Sequence, residues 1–259
     1  LDLATGTTPN GIAMENAERP DNAPILVVPD STGSLAFITL RGGGLFVVDP
    51  TTAPMKIIAE YDKTMVHANG FGGIETNGRM YINSGAGSAS TNPSEFDLYR
   101  FPLSGYAATN PPNTPAPLVT FSHDTVPPAH ERDAHGLVGT KHNRYIWVLD
   151  RARSVAEVFD PTTDRRVNTI ALAHPSASDP TPDLADISPS GNRIFVSLRG
   201  PNPLSGSPHA AIGSTPGLGV IQIKQGGKGG ELKSVVQISN VDTAGFERAD
   251  AHGIRVRLK

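Results

Sequence analysis

Cysteine is absent from the 259 residues, so neither disulfides nor thiolate metal sites contribute, and a metal would need histidine, aspartate or glutamate. Long apolar runs are missing as well: none approaches the roughly 18 residues that cross a bilayer as a helix, so no membrane span is expected. Basic excess is lacking, with 22 Lys and Arg against 25 Asp and Glu for a net charge of -3, which argues against nucleic acid or an anionic membrane as partner. Tryptophan occurs once, and helical periodicity is hard to find anywhere in the chain. The first residue, Leu1, is not a methionine, pointing to a processed or truncated start that a removed secretion signal would explain.

What the chain has in quantity is turn residues. Its 27 glycines and 23 prolines fall between short β-branched and aromatic runs, the punctuation of many strands joined by many turns. The stretch 25–61 divides into four short strands, Ile25 to Val28, Leu35 to Leu40, Leu45 to Val48 and Met55 to Tyr61. Four strands in meander order form one blade of a β-propeller. A second unit runs from His67 through RMYIN and DLYRF to LVTF, a third from DAHGLV to VNTIAL, and a fourth from DLADISPSG to KSVVQIS. A fifth begins at DAHGIRV, and Leu1 to Gly6 reads as the last strand of an earlier repeat.

Individual lines of the repeat align. GSLAFITLRG from Gly33 matches GNRIFVSLRG from Gly191, and VVDPTT from Val47 matches VFDPTT from Val158. In the second pair Asp49-Pro50 and Asp160-Pro161 supply a turn-opening acceptor and a fixed φ, marking the corner after the third strand. SPSGNRIFVSLRG and FDPTTDRRVNTIAL resemble the repeats of the YVTN family, the lactonase-like and cytochrome-d1-like group of seven-bladed β-propellers. The resemblance implies an all-β propeller of four-stranded antiparallel blades over residues 1–259 as a single domain, with four complete blades and partial blades at both ends. A seven-bladed ring of such repeats needs roughly 300 residues or more, so N-terminal blades are expected to be missing or supplied by a second chain. A five-bladed ring is the alternative. The resemblance also implies a periplasmic or secreted protein.

The most conspicuous repeat is ERDAHGLV at Glu131 to Val138, which returns as ERADAHGI at Glu247 to Ile254. In a propeller the loop leading into the first strand and the loop joining strands two and three lie on one face. That places His67, Asp133, His135, Asp183, Asp250 and His252 near one mouth of the channel, together with the insertions Ser84 to Glu95 and Gly200 to Gly217. Imidazole and carboxylate from different blades suit a borderline divalent metal, and the expected ligands are His67, Asp133, His135, Asp250 and His252. The competing reading is that Asp and His cap the turn into the strand while Gly136 and Gly253 supply unusual dihedrals. Arg41, Arg151 and Arg199 align at the ends of second strands. They either clamp an anionic ligand or pair with Asp133, Asp183 and Asp250 in a solvated charge network.

Other signals are weaker. The glycine runs at Gly42 to Gly44 and Gly226 to Gly230 read as hairpin turns, because neither precedes a helix. No GxSxG elbow is present, and Trp147 reads as a blade-core aromatic. Three functions follow: a binding propeller holding a divalent metal or small ligand, a metal-assisted hydrolase, which the lactonase-like resemblance alone implies, and a scaffold whose insertions meet a protein partner. Asp133 and Asp250 each have an arginine close by, which makes them poor bases for the hydrolase.

Overall fold

A computed structural model describes residues 23–68, 70–85, 94–107, 115–125, 132–202 and 212–257. They form four four-stranded antiparallel sheets and one two-stranded ribbon, the meander blades of a β-propeller. The described residues fall into two compact units, one within Leu1–Gly85 and Asp97–Ser122, the other within Ala86–Phe96 and His123–Lys259.

The first unit holds two blades. One is built from β1 (Pro24–Pro29), β2 (Ala36–Leu40), β3 (Leu45–Asp49) and β4 (Lys56–Tyr61), and the other from β5 (Gly73–Thr76), β6 (Arg79–Ser84), β8 (Asp97–Pro102) and β9 (Leu118–Phe121). Strands β7 (Ser94–Glu95) and β10 (Asp124–Thr125) pair as the ribbon, within the second unit. The inner strands β2, β3, β6 and β8 bury both faces and so read as nearly continuous apolar runs. Their side chains form one core in which Phe37, Tyr61, Tyr99 and Phe101 are all buried, with Tyr61 meeting Phe101 edge-on at 5.2 Å, a favoured aromatic geometry.

The second unit holds the blades β11 (Ala134–Gly139), β12 (Ile146–Asp150), β13 (Val155–Asp160), β14 (Arg165–Ala171) and β15 (Pro182–Ile187), β16 (Arg193–Leu198), β17 (Gly217–Lys224), β18 (Gly229–Gln237). A shared core joins them through Trp147, Leu149, Val158, Ile194, Val196 and Ile221. Trp147 is the expected core aromatic: it is fully buried and its indole N–H donates to the Gly227 carbonyl at 2.8 Å.

The turns follow the residue chemistry closely. At both DPTT corners the aspartate Oδ1 accepts the backbone N–H two residues on, from Thr51 and from Thr162, at 2.8 Å in each case. Gly33 and Gly191 close the β1–β2 and β15–β16 turns at the same φ of 71°, a region open to glycine without cost. The Gly226 to Gly230 run makes the β17–β18 hairpin, with Lys224 opposite Gly229, as its composition predicts.

Two expectations need correction. DAHGIRV is not a strand: Asp250 to Arg257 carry no ladder, and the segment is held instead by the Val256 N–H on Asp186 Oδ2 at 2.8 Å. The glycines of the two DAHG strings also have no left-handed φ. Gly136 is required for a different reason, since a Cβ there would lie 2.1 Å from the Asp183 carbonyl oxygen of β15. Gly253 has open space, its nearest such neighbour being 3.8 Å away. Gly136→Ala is therefore expected to cost about 1–3 kcal/mol of overpacking and Gly253→Ala less than about 0.5 kcal/mol, a difference that urea denaturation of the two variants checks. The segment Leu1 to Gly6, residues 86–93 of the first insertion and 203–211 of the second lie outside the described residues.

Candidate functional site

The repeat places an aspartate where each first strand of the second unit begins, Asp133 before β11 and Asp183 on β15, and a third at Asp250 after β18. It also places an arginine just past each second strand, Arg151 after β12 and Arg199 after β16. Antiparallel pairing brings these ends together: the Arg151 N–H donates to the Asp133 carbonyl, and the Arg199 N–H to that of Thr181. Each guanidinium then reaches the aspartate of its own repeat and that of the next.

Arg151 Nε donates to Asp133 Oδ2 at 2.7 Å while its Nη1 stands 3.8 Å from Asp183 Oδ2. Arg199 Nη1 donates to Asp183 Oδ2 at 2.7 Å, and its Nε and Nη2 grip Asp250 in bidentate fashion at 2.6 and 2.8 Å. The result is an alternating chain, Asp133, Arg151, Asp183, Arg199, Asp250. Ion pairing between these arginines and aspartates, one of the two readings of the sequence, is what the structure contains. It is buried rather than solvated, since Asp133, Asp183 and Arg199 have no exposed surface.

Both DAHG histidines of the second unit turn to the middle of this chain. His135 Nδ1 pairs with Asp183 Oδ1, and His252 Nδ1 stands 3.4 Å from Asp183 Oδ2. The two rings lie 5.8 Å apart between centroids. His135 is 1% exposed and His252 40%, so one imidazole is buried and the other meets solvent. Burial first, and then the Arg151 charge, pull the His135 pKa down to about 4, leaving it neutral at neutral pH. Burial would raise the Asp183 carboxyl, but the His135 N–H and the Arg151 guanidinium hold it well below the usual carboxylate range.

Of the five residues expected from sequence, four converge here: Asp133, His135, Asp250 and His252. The two aspartates are committed to guanidinium groups. His67 belongs to the first unit, where its Nδ1 pairs with Asp97 Oδ2 at 2.7 Å and its backbone N–H donates to the Tyr99 hydroxyl. Among the described residues no group of three or more histidine and acidic side chains is arranged to hold a metal by itself. Turn capping, the other reading of the string, falls instead to Asp150, whose Oδ1 accepts the N–H groups of Asp133, Ala152 and Arg153. Arg132 of the first ERDAHG pairs with Asp150 and Glu157 and lies 4.5 Å from the Phe96 ring centroid.

Asp183 is the residue the five-membered set leaves out. Its alignment with Asp133 and Asp250 was visible, but DLAD lacks the histidine that made DAHG stand out, with Ala185 in its place. Asp97 carries no sequence signal, since it lies within a strand of ordinary composition.

No family model matches the sequence, and no curated protein matches it. Solved structures do. The periplasmic gluconolactonase of Pseudomonas aeruginosa superposes with a TM-score of 0.57 at 10% identity, over 95% of this chain and 68% of that one. A hypothetical selenium-binding protein of Sulfolobus tokodaii gives 0.57 at 11%, over 89% and 59%, and the hydrazine synthase of Kuenenia stuttgartiensis 0.52 at 15%, over 87% and 52%. The chain thus spans between about half and two thirds of the length of these proteins. At such identities the likeness speaks to architecture, and with the repeated four-stranded sheets it makes this chain a β-propeller with a lactonase-like fold.

Proposed function

We propose that this β-propeller is a binding protein whose ligand centre is the His135, Asp183 and His252 cluster, and that it takes a divalent metal ion completed by water or a small ligand. One observation carries the reading: a single buried carboxylate faces the Nδ1 edge of two imidazoles. Carboxylate on one ring nitrogen fixes the tautomer and presents the other nitrogen, Nε2, as a ligand, the usual support of metal-bound histidine. With neutral imidazoles, three carboxylates against two guanidinium groups leave one net negative charge, which favours a cation. Asp133 and Asp250 act on the ion through this field while Arg151 and Arg199 hold them. The similarity of the repeats to the YVTN group, and an exported location, belong to the same proposal.

A metal-assisted hydrolase is the second reading. The half-exposed His252 with its Nδ1 toward Asp183 has the form of an imidazole oriented for proton transfer. Both readings place His252 at the centre. Equilibrium dialysis against zinc, followed by elemental analysis, should show one equivalent per wild-type chain and at least a tenfold weaker retention in His252→Ala. Equal loading of the two proteins, or none in either, removes the proposal. Hydrolysis of a simple lactone by the zinc-loaded wild type, lost in His252→Ala, would select the second reading.

A further inference from the structure

At the other end of β11 from His135, about 15–20 Å along the strand, the second unit carries a cavity that the metal proposal does not use. Its volume is about 380 Å³, and it opens between the β11–β12 turn at 140–145 and the β17–β18 turn at 225–228. Lys141, His142, Arg144 and Lys224 line it, and none of its lining residues is acidic. Glu231 of β18 is shared between Lys224 and Lys233, so Lys141 and Arg144 supply most of the cavity's charge.

Glycine geometry makes room for those two side chains. A Cβ on Gly191 would lie 2.7 Å from that of Lys141, and one on Gly226 would lie 3.3 Å from Arg144 Nη1. Both glycines have left-handed φ, 71° and 64°, which fixes the turns at shapes other residues rarely adopt. Arg144 is further placed over the Tyr145 ring, 5.7 Å from its centroid. Lysine and arginine side chains thus converge from one wall on a space facing Lys224 on the other. Guanidinium and ammonium groups together, without a carboxylate, select a multiply charged oxyanion. The volume exceeds what a bare phosphate fills and matches a small organic ligand.

We infer that this cavity binds the phosphate group of a small phosphomonoester, gripped by Lys141 and Arg144 and faced by Lys224. The inference is independent of the metal proposal, since none of the residues overlap. Isothermal titration with glucose 6-phosphate tests it, with glucose and inorganic phosphate as the comparison probes. Glucose 6-phosphate is expected to bind more tightly than phosphate, glucose not at all, and affinity should fall as salt rises. Lys141→Ala and Arg144→Ala should each weaken binding roughly tenfold, while Lys233→Ala, outside the cavity, leaves it unchanged. All three side chains are exposed, so the folded state survives the changes, which circular dichroism verifies. Glucose 6-phosphate that does not bind, or binding that persists in the Lys141→Ala, Arg144→Ala double variant, overturns the assignment.

Discussion

Replacing Arg199 with leucine is expected to destabilise the protein by about 3–5 kcal/mol. Arg199 is fully buried and grips Asp250 at two oxygens while also donating to Asp183. Its removal leaves Asp183 with the more distant Arg151 contact at 3.8 Å and strips Asp250 of both charge-assisted bonds. The loss is that of uncompensated charge in a dry setting, which is why it exceeds the worth of the pair itself. Arg199→Lys should recover only part of it, because an ammonium cannot reproduce the bidentate fork. Arg248→Leu provides the comparison: its partner Asp242 and it are each about a third exposed, and exposed pairs contribute at most about 1 kcal/mol. Chemical denaturation of the three variants against wild type measures these differences. A loss for Arg199→Leu no larger than that for Arg248→Leu would mean that the buried charges do not hold the segment around Asp250 to the β15–β18 blade.

Stability is expected to fall steeply as pH drops from about 6.5 to 4, and His135 is the main cause. Its folded pKa is pulled to about 4 from the ordinary 6.5 by burial and by Arg151. Because the folded value lies below the unfolded one, the unfolded chain takes up the proton first as pH falls, so stability is fully present above about 6.5. It declines until the folded protein also protonates near 4, a total on the order of 3 kcal/mol. Asp183, held below the carboxylate range, adds a further loss only at still lower pH. His135→Gln should flatten the curve between pH 6.5 and 4. A variant curve parallel to that of the wild type would assign the acid sensitivity elsewhere.

The extent to which the sequence foretold this molecule differs between backbone and site. Strand positions were legible because turn chemistry is local. Asp49 and Asp160 each meet their threonine N–H at 2.8 Å, and Gly33 and Gly191 share one φ, so matching letters meant matching backbone. The pairing of Arg151 and Arg199 with aspartates was also legible, since both types recur at fixed places in the repeat. What could not be read was the degree of burial, which turns a surface charge network into an ordered core, and the sharing of one carboxylate by two repeats. Sharing depends on how adjacent first strands approach, and that approach is set by the Gly136 contact with the Asp183 carbonyl, a feature that the expected dihedral role of Gly136 did not anticipate. The DAHGIRV segment is the counterexample: its letters are those of β11, yet among the described residues it joins no ladder, because pairing is a long-range property that matching letters do not carry.

In the proposed metal centre Asp183 holds two imidazoles by Nδ1 and their Nε2 atoms take the ion. Nitrogen-15 spectra of the ring nitrogens, recorded at pH 7 with and without one equivalent of zinc, test it most directly. His135 and His252 are both expected to carry the proton on Nδ1 before and after addition, and zinc to shift both Nε2 resonances while leaving His142 and His174 in place. Ring protons on Nε2, or zinc shifts confined to other histidines, would contradict it.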